Sequence, residues 1–87
     1  MPPLRVPRPF KRDLDRKPPA LRAAILECVQ RLGENTRHPS LQTHRVQGAR
    51  GVFEAYVDMA NRVTFHYDGP TVVLRKHCRH DDVLRRP

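Results

Sequence analysis

The hydrophobic pattern changes its period once along the chain, and this change constrains the fold most. In residues 18–33 the apolar positions recur at the three- and four-residue spacing of one helix face. They are Leu21, Ile25, Cys28 and Leu32. In residues 52–58 and 62–67 apolar and polar residues alternate instead, which is typical of half-buried strands. This order predicts an α+β domain with helices packed on one face of an antiparallel sheet.

Shorter elements are bounded by proline and glycine. Pro18 and Pro19 suit a helix start, and Gly33 stands where a C-terminal cap is expected. We also expect a short edge strand in "PLRVP", one or two helical turns in "RPFKRDLDRK" and a brief strand in "HRV". The last strand, "TVVLRK", follows a turn at "DGP". The sheet face away from the helices is expected to be open and to carry Arg62 and His66.

The charge of the chain favours a polyanionic partner. Seventeen Lys and Arg stand against nine Asp and Glu, which gives a formal net charge of +8 over 87 residues. RNA, DNA, an acidic protein or an acidic membrane surface would suit such a surface. The start of the chain has no apolar segment typical of a signal peptide, and no apolar run is long enough to span a bilayer. We therefore expect one cytoplasmic domain over residues 1–87.

The segment "HCRHDD" contains several side chains of metal-ligand type, namely His77, Cys78, His80 and Asp81. A zinc site usually needs a second ligand pair at fixed spacing, and the chain has none, so we predict no metal and no cofactor. Cys28 and Cys78 are expected to be thiols in a reducing compartment, with Cys28 in the core. A Cys78 nucleophile beside His77 or His80 stays open, although burial is the simpler interpretation.

Metal-free RNA cleavage also fits these residue types. The ribose 2′-hydroxyl attacks the adjacent phosphate, and the reaction needs a base, an acid for the leaving 5′-oxygen and cations near the phosphate. His and Arg can supply all three, but composition alone leaves this as one alternative among several.

Three motifs in order resemble the RelE/ParE superfamily of bacterial toxins, in particular its YafQ-like and RelE-like ribonucleases. They are "HRVQG", "RVTF" and the closing "HDDV" after a hydrophobic strand, and the resemblance covers residues 10–87. It implies two N-terminal helices on one face of a four-stranded, mainly antiparallel sheet. It also implies metal-free cleavage of mRNA in the ribosomal A site and a cognate antitoxin protein as partner.

The resemblance assigns roles to particular residues. His80 matches a general acid–base histidine, Arg62 an arginine that stabilises the scissile phosphate, and His44 a further active-site histidine. Arg79 and Lys76 fall where some members carry catalytic arginines. The residues expected to contact RNA are Arg45, Arg50, His66, Arg75, Arg85 and Arg86.

A departure from the family pattern keeps other functions open. Leu84 occupies a place where the family often has an aromatic residue, and no aromatic follows Tyr67. The ParE branch shares the fold but poisons DNA gyrase without cutting RNA. A basic RNA- or protein-binding module without catalysis is the third alternative.

Overall fold

Two helices and five strands make up most of the 87 residues, all of which are described by the computed structural model. The strands are β1 (Leu4–Arg5), β2 (His44–Arg45), β3 (Val52–Asp58), β4 (Asn61–Asp68) and β5 (Thr71–Arg79). The helices are α1 (Arg8–Asp15) and α2 (Pro19–Glu34). Short 3₁₀ turns follow at Pro39–Leu41 and His80–Asp82. The predicted α+β class is confirmed.

The sheet has five strands in the order β1-β5-β4-β3-β2, so the expected four-stranded sheet was one strand short. β1 lies at an edge and runs parallel to β5, with Leu4 opposite Val72. The other three pairings are antiparallel. The extra strand forms because the Val72 N–H donates to the Pro3 carbonyl at 2.9 Å and Leu4 packs against the core. Along the sequence, both helices therefore come after β1 and before the other four strands.

Helix α2 starts at Pro19 as predicted, but it ends later than the sequence suggests. Its C-terminal cap is Asn35, and Gly33 lies inside the helix, so the predicted glycine cap is wrong. A Cβ atom at Gly33 would lie 3.6 Å from Leu4 Cδ2. Gly33 thus marks the close approach of α2 to β1. Neither helix is long and apolar enough to cross a membrane.

The main core lies between the helices and the sheet. It is formed by buried side chains from every large element: Phe10, Leu14, Ile25, Cys28, Leu32, Leu41, Ala55, Val63, Phe65, Val72 and Leu74. The helix face predicted from apolar spacing is confirmed, since three of its four residues are in this set and Leu21 packs against it. Full burial of a large apolar side chain contributes roughly 1.5–3 kcal/mol, so this layer orients α2 on the sheet.

The opposite sheet face is less open than expected. A second apolar cluster covers its centre and consists of Val46, Val52, Cys78 and Val83. Val83 comes from the segment after β5, which folds back across the sheet and is only 2% exposed. Thr64, also on this face, is fully buried there. Val83 covers this part of the face because its packing against Val52 and Cys78 removes their apolar surface from water.

Candidate active site

Strand register aligns four residues in a row across the face opposite the helices. His44 on β2 pairs with Glu54 on β3, Glu54 pairs with Thr64 on β4, and Thr64 pairs with Lys76 on β5. Directly opposed residues of neighbouring strands point to the same face. Two predicted site residues, His44 and Lys76, therefore stand at the two ends of one row.

His44 is bound on both sides of its ring. Its Nδ1 lies 2.8 Å from the Gln42 carbonyl oxygen, and its Nε2 lies 2.6 Å from Glu54 Oε1. A carbonyl oxygen only accepts, so Nδ1 carries a hydrogen and donates. A lone pair on Nε2 facing a carboxylate lone pair would repel at 2.6 Å, so a proton lies between these atoms. The His44–Glu54 pair thus holds one shared proton.

The two partners differ in exposure. The His44 side chain is 60% exposed, whereas that of Glu54 is 10% exposed. The carboxylate is therefore anchored in the sheet, and the imidazole extends from it into solvent. A substrate can reach the histidine more easily than the carboxylate.

His80 faces the same space from the other side. It opens the 3₁₀ turn after β5, and its backbone N–H donates to the Ala60 carbonyl at 2.8 Å. The exposed His80 ring makes no hydrogen bond within the chain. A cleft of about 480 Å³ is lined by residues that include His44, Arg45, Glu54, His80, Asp81 and Leu84, and we call it the histidine cleft. The structure thus brings the two predicted histidines together.

Arg62 lies beside this cleft without lining it. Its Nη1 donates to the carbonyl oxygens of Asp58 and Asn61, and its guanidinium lies 4.7 Å from the centre of the Tyr56 ring. These contacts hold the cation at the β3–β4 turn, the same turn that accepts the His80 N–H. Its Nη2 and Nε make no hydrogen bonds and remain available to an anion.

Four of the remaining predicted cations line a second cleft. Lys76, Arg79, Arg85 and Arg86 line a separate cleft of about 470 Å³ together with Lys17, His77, Cys78 and Asp82, and we call it the basic cleft. It shares no lining residue with the histidine cleft, although residues of the 3₁₀ turn contribute to both. A single catalytic cluster would require Lys76 and Arg79 to lie beside His44, but they line a different cleft.

A β-bulge determines which side chains of β5 face away from the helices. Thr64 pairs with Lys76 and Phe65 with Leu74, which leaves Arg75 without a partner. Arg75 Nη1 lies 3.1 Å from His66 Nδ1, so Arg75 also reaches the face opposite the helices. Arg50 is exposed on the turn after β2 and lines neither cleft.

The cysteines do not behave as activated nucleophiles. Burial raises the pKa of the Cys78 thiol, and this effect exceeds that of nearby Lys76. Burial also raises the pKa of Cys28 to about 12. Both are free thiols, as predicted, and both are held in the neutral form. The Cys78 nucleophile that the sequence left open is not favoured.

Two further groups near the β3–β4 turn have shifted pKa values. Burial, followed by the charge of Lys17, lowers the pKa of His77, whose Nε2 lies 2.7 Å from Asn61 Oδ1. The hydrogen bond from Asn61 lowers the pKa of Asp58. His77 therefore belongs to a structural hydrogen-bond chain with Asn61 and Asp58. No group of three or more His, Cys, Asp or Glu side chains lies together in a metal-binding arrangement.

Glu54 is the site residue that the sequence did not reveal. The alternation of residues 52–58 places it away from the core, where an exposed glutamate needs no explanation. Only the pairing of β2 with β3 places it under His44. No local pattern marks that long-range pairing.

Known proteins resemble the chain in structure rather than in sequence. No family model and no curated protein matches it. The YoeB/ParE toxin from Agrobacterium tumefaciens is similar with a TM-score of 0.71 at 10% identity, over 90% of this chain and 98% of that chain. The toxin–antitoxin complex RelBE2 from Mycobacterium tuberculosis gives 0.67 at 25% identity, over 92% and 100%. The E. coli DinJ–YafQ complex gives 0.63 at 14% identity, over 93% and 96%.

Proposed function

We propose that this chain, which by its fold belongs to the RelE/ParE superfamily of toxins, is the toxin of a type II toxin–antitoxin pair and a metal-free mRNA endoribonuclease. The observation that carries the nuclease proposal is the histidine cleft. Two imidazoles, one with an anchored carboxylate, meet there beside an arginine with free N–H groups. This is the set of groups that 2′-hydroxyl attack on a phosphodiester requires.

The hydrogen bonds support a division of roles. His80 has a ring nitrogen free to take the proton of the 2′-hydroxyl. The His44–Glu54 pair holds a proton and can give it to the leaving 5′-oxygen. The 2′-oxygen then bonds to phosphorus as the bond to the 5′-oxygen breaks, which leaves a 2′,3′-cyclic phosphate. Arg62 faces the charge that builds on the phosphate oxygens.

The basic cleft supports a secondary role for the other cations. The cations Lys76, Arg79, Arg85 and Arg86 line the basic cleft and not the histidine cleft. We assign them to binding the RNA backbone, together with Arg45, Arg50, His66 and Arg75. The substrate is translated mRNA, which places the activity in the cytoplasm at the ribosomal A site.

The partner that silences the toxin is proposed to be an acidic antitoxin. Two of the similar structures are toxin–antitoxin complexes. A net charge of +8 and exposed arginines at Arg79 and Arg85 would attract an acidic segment of such a partner. We expect that segment to lie beside Arg62, Arg79 and the residues that follow.

Inducible expression with mapping of new mRNA 5′ ends tests this function. We expect His80→Ala to lose cleavage by about 100-fold or more, the usual effect of removing a general acid–base group. It should still fold and bind antitoxin because His80 is exposed. His38→Asn removes another exposed imidazole outside all the clefts, retains an acceptor for the Ser40 N–H and should cleave normally. Equal toxicity of His80→Ala, with loss of gyrase-dependent supercoiling and no new 5′ ends, would instead support a gyrase poison.

A further inference from the structure

A third cleft lies beside β2 on the helix side of the sheet. It has a volume of about 270 Å³ and is lined by two aromatic rings (Phe53 and Tyr67), two arginines (Arg37 and Arg45), His44 and two threonines. We call it the aromatic cleft. No acidic side chain lines it, whereas the histidine cleft contains Glu54 and Asp81.

The Tyr67 ring is exposed but firmly held. It is 43% exposed, yet it meets Phe53 edge-on at 5.4 Å and the buried Phe65 at 5.8 Å between ring centres. Its hydroxyl donates to Thr36 Oγ1 at 3.1 Å. A ring fixed on three sides loses little conformational freedom when a ligand stacks on it.

The cations of this cleft stand next to the rings. The Arg45 guanidinium lies 5.9 Å from the centre of the Phe53 ring, and neither Arg37 nor Arg45 forms an ion pair. Both side chains are exposed. Aromatic rings for a base and unpaired arginines for a phosphate are the two elements of single-strand nucleic-acid binding.

The aromatic cleft adjoins the histidine cleft. His44 and Arg45 line both clefts, because they form the edge strand between the two faces of the sheet. β2 is an edge strand of only two residues. A single strand of RNA that crosses this edge would pass from one cleft into the other.

From this arrangement we infer that the aromatic cleft is a nucleobase subsite. An unpaired base stacks against Tyr67, and the neighbouring phosphate lies between Arg37 and Arg45. The inference rests on the proposed RNA substrate. It places a nucleotide that flanks the scissile phosphate on the helix side of β2. An acidic peptide would use the two arginines but would leave the ring without a flat partner, so the rings favour RNA.

Binding of short RNA carrying a fluorescent base tests the subsite. We would use 2′-O-methyl hexamers, which cannot undergo 2′-hydroxyl attack, with one 2-aminopurine placed at each position in turn. Stacking on an aromatic ring quenches 2-aminopurine, so the wild-type protein should quench it at one position. Replacing that base by an abasic site should weaken binding about tenfold, a typical effect of one stacked base.

Two substitutions at Tyr67 separate the ring from its hydroxyl. Tyr67→Leu should remove the quenching and weaken binding about tenfold, whereas Tyr67→Phe keeps the ring that stacks and should keep the quenching. Arg37→Gln should weaken binding and Arg8→Gln should not, since Arg8 is exposed on α1 outside the cleft. Thermal melting of each variant verifies the fold.

The outcomes distinguish the subsite from the nuclease. Tight binding without quenching at any position, or equal binding by Tyr67→Leu and Tyr67→Phe, overturns the subsite and leaves the cleavage proposal standing. Quenching that depends on Tyr67 in a protein that cuts no mRNA supports the subsite and refutes the nuclease. Absence of RNA binding at low salt overturns both.

Discussion

Replacing Glu54 by glutamine tests the proton held by the His44–Glu54 pair. A glutamine has the same shape, and its amide can donate to His44 Nε2 while Nδ1 still donates to the Gln42 carbonyl. Every hydrogen bond is therefore remade, but with a neutral ring. The substitution removes the shared proton without removing the contact.

The expected magnitudes follow from the geometry. His44 is 60% exposed, so solvent screens the pair and the free energy of unfolding should change by less than about 1 kcal/mol. A hydrogen bond to a charged group contributes roughly 1.5–3 kcal/mol against 0.5–1.5 kcal/mol for a neutral one. A loss of about 1.4 kcal/mol in the transition state slows cleavage about tenfold near pH 7.5.

Single-turnover cleavage of RNA by the purified variant, followed from pH 6 to pH 9, measures this effect. The rate should fall in Glu54→Gln while the melting temperature stays close to that of the parent, because the hydrogen bonds are remade without the shared proton. Glu34→Gln is the matched control, since Glu34 is exposed at the end of α2 and forms no ion pair. A variant that cleaves like the parent at every pH would refute the shared-proton role. A rate lowered equally at all pH values, with a lower melting temperature, would show that Glu54 is only structural.

Two other expectations can be checked directly. Because burial raises the pKa of Cys28 from 9.0 to about 12, the folded state keeps the proton longer than the unfolded state, so stability present below pH 9 is lost as the pH rises. The free energy of unfolding measured in urea should fall between pH 8 and pH 10 by about 1.4 kcal/mol more than in Cys28→Val, in which the raised pKa of Cys78 still contributes; parallel curves for the two proteins would contradict it. Cleavage should persist in excess EDTA, because the proposed chemistry uses side chains; activity lost in chelator and restored by zinc or magnesium would overturn this expectation.

Local sequence was sufficient for the main elements of the fold. The helical spacing of Ile25, Cys28 and Leu32 determines which side of α2 is buried, since a helix presents every third or fourth residue to one side. Alternation determines the strand face of Val63 and Phe65 in the same way. The excess of arginine determines the positive surface. These properties depend only on neighbours in the chain.

The arrangement of the candidate site depended on tertiary structure. Glu54 lies under His44 because β2 and β3 pair in one register, and a shift by one residue would turn Glu54 to the other face. The bulge that leaves Arg75 unpaired and the packing of Val83 against Cys78 likewise depend on contacts between segments distant in the chain. Turn geometry and packing between distant segments set these relations, and no period in the sequence records them. The family resemblance therefore pointed to both histidines as candidates, but only the folded chain decided which acid and which cations lie near them.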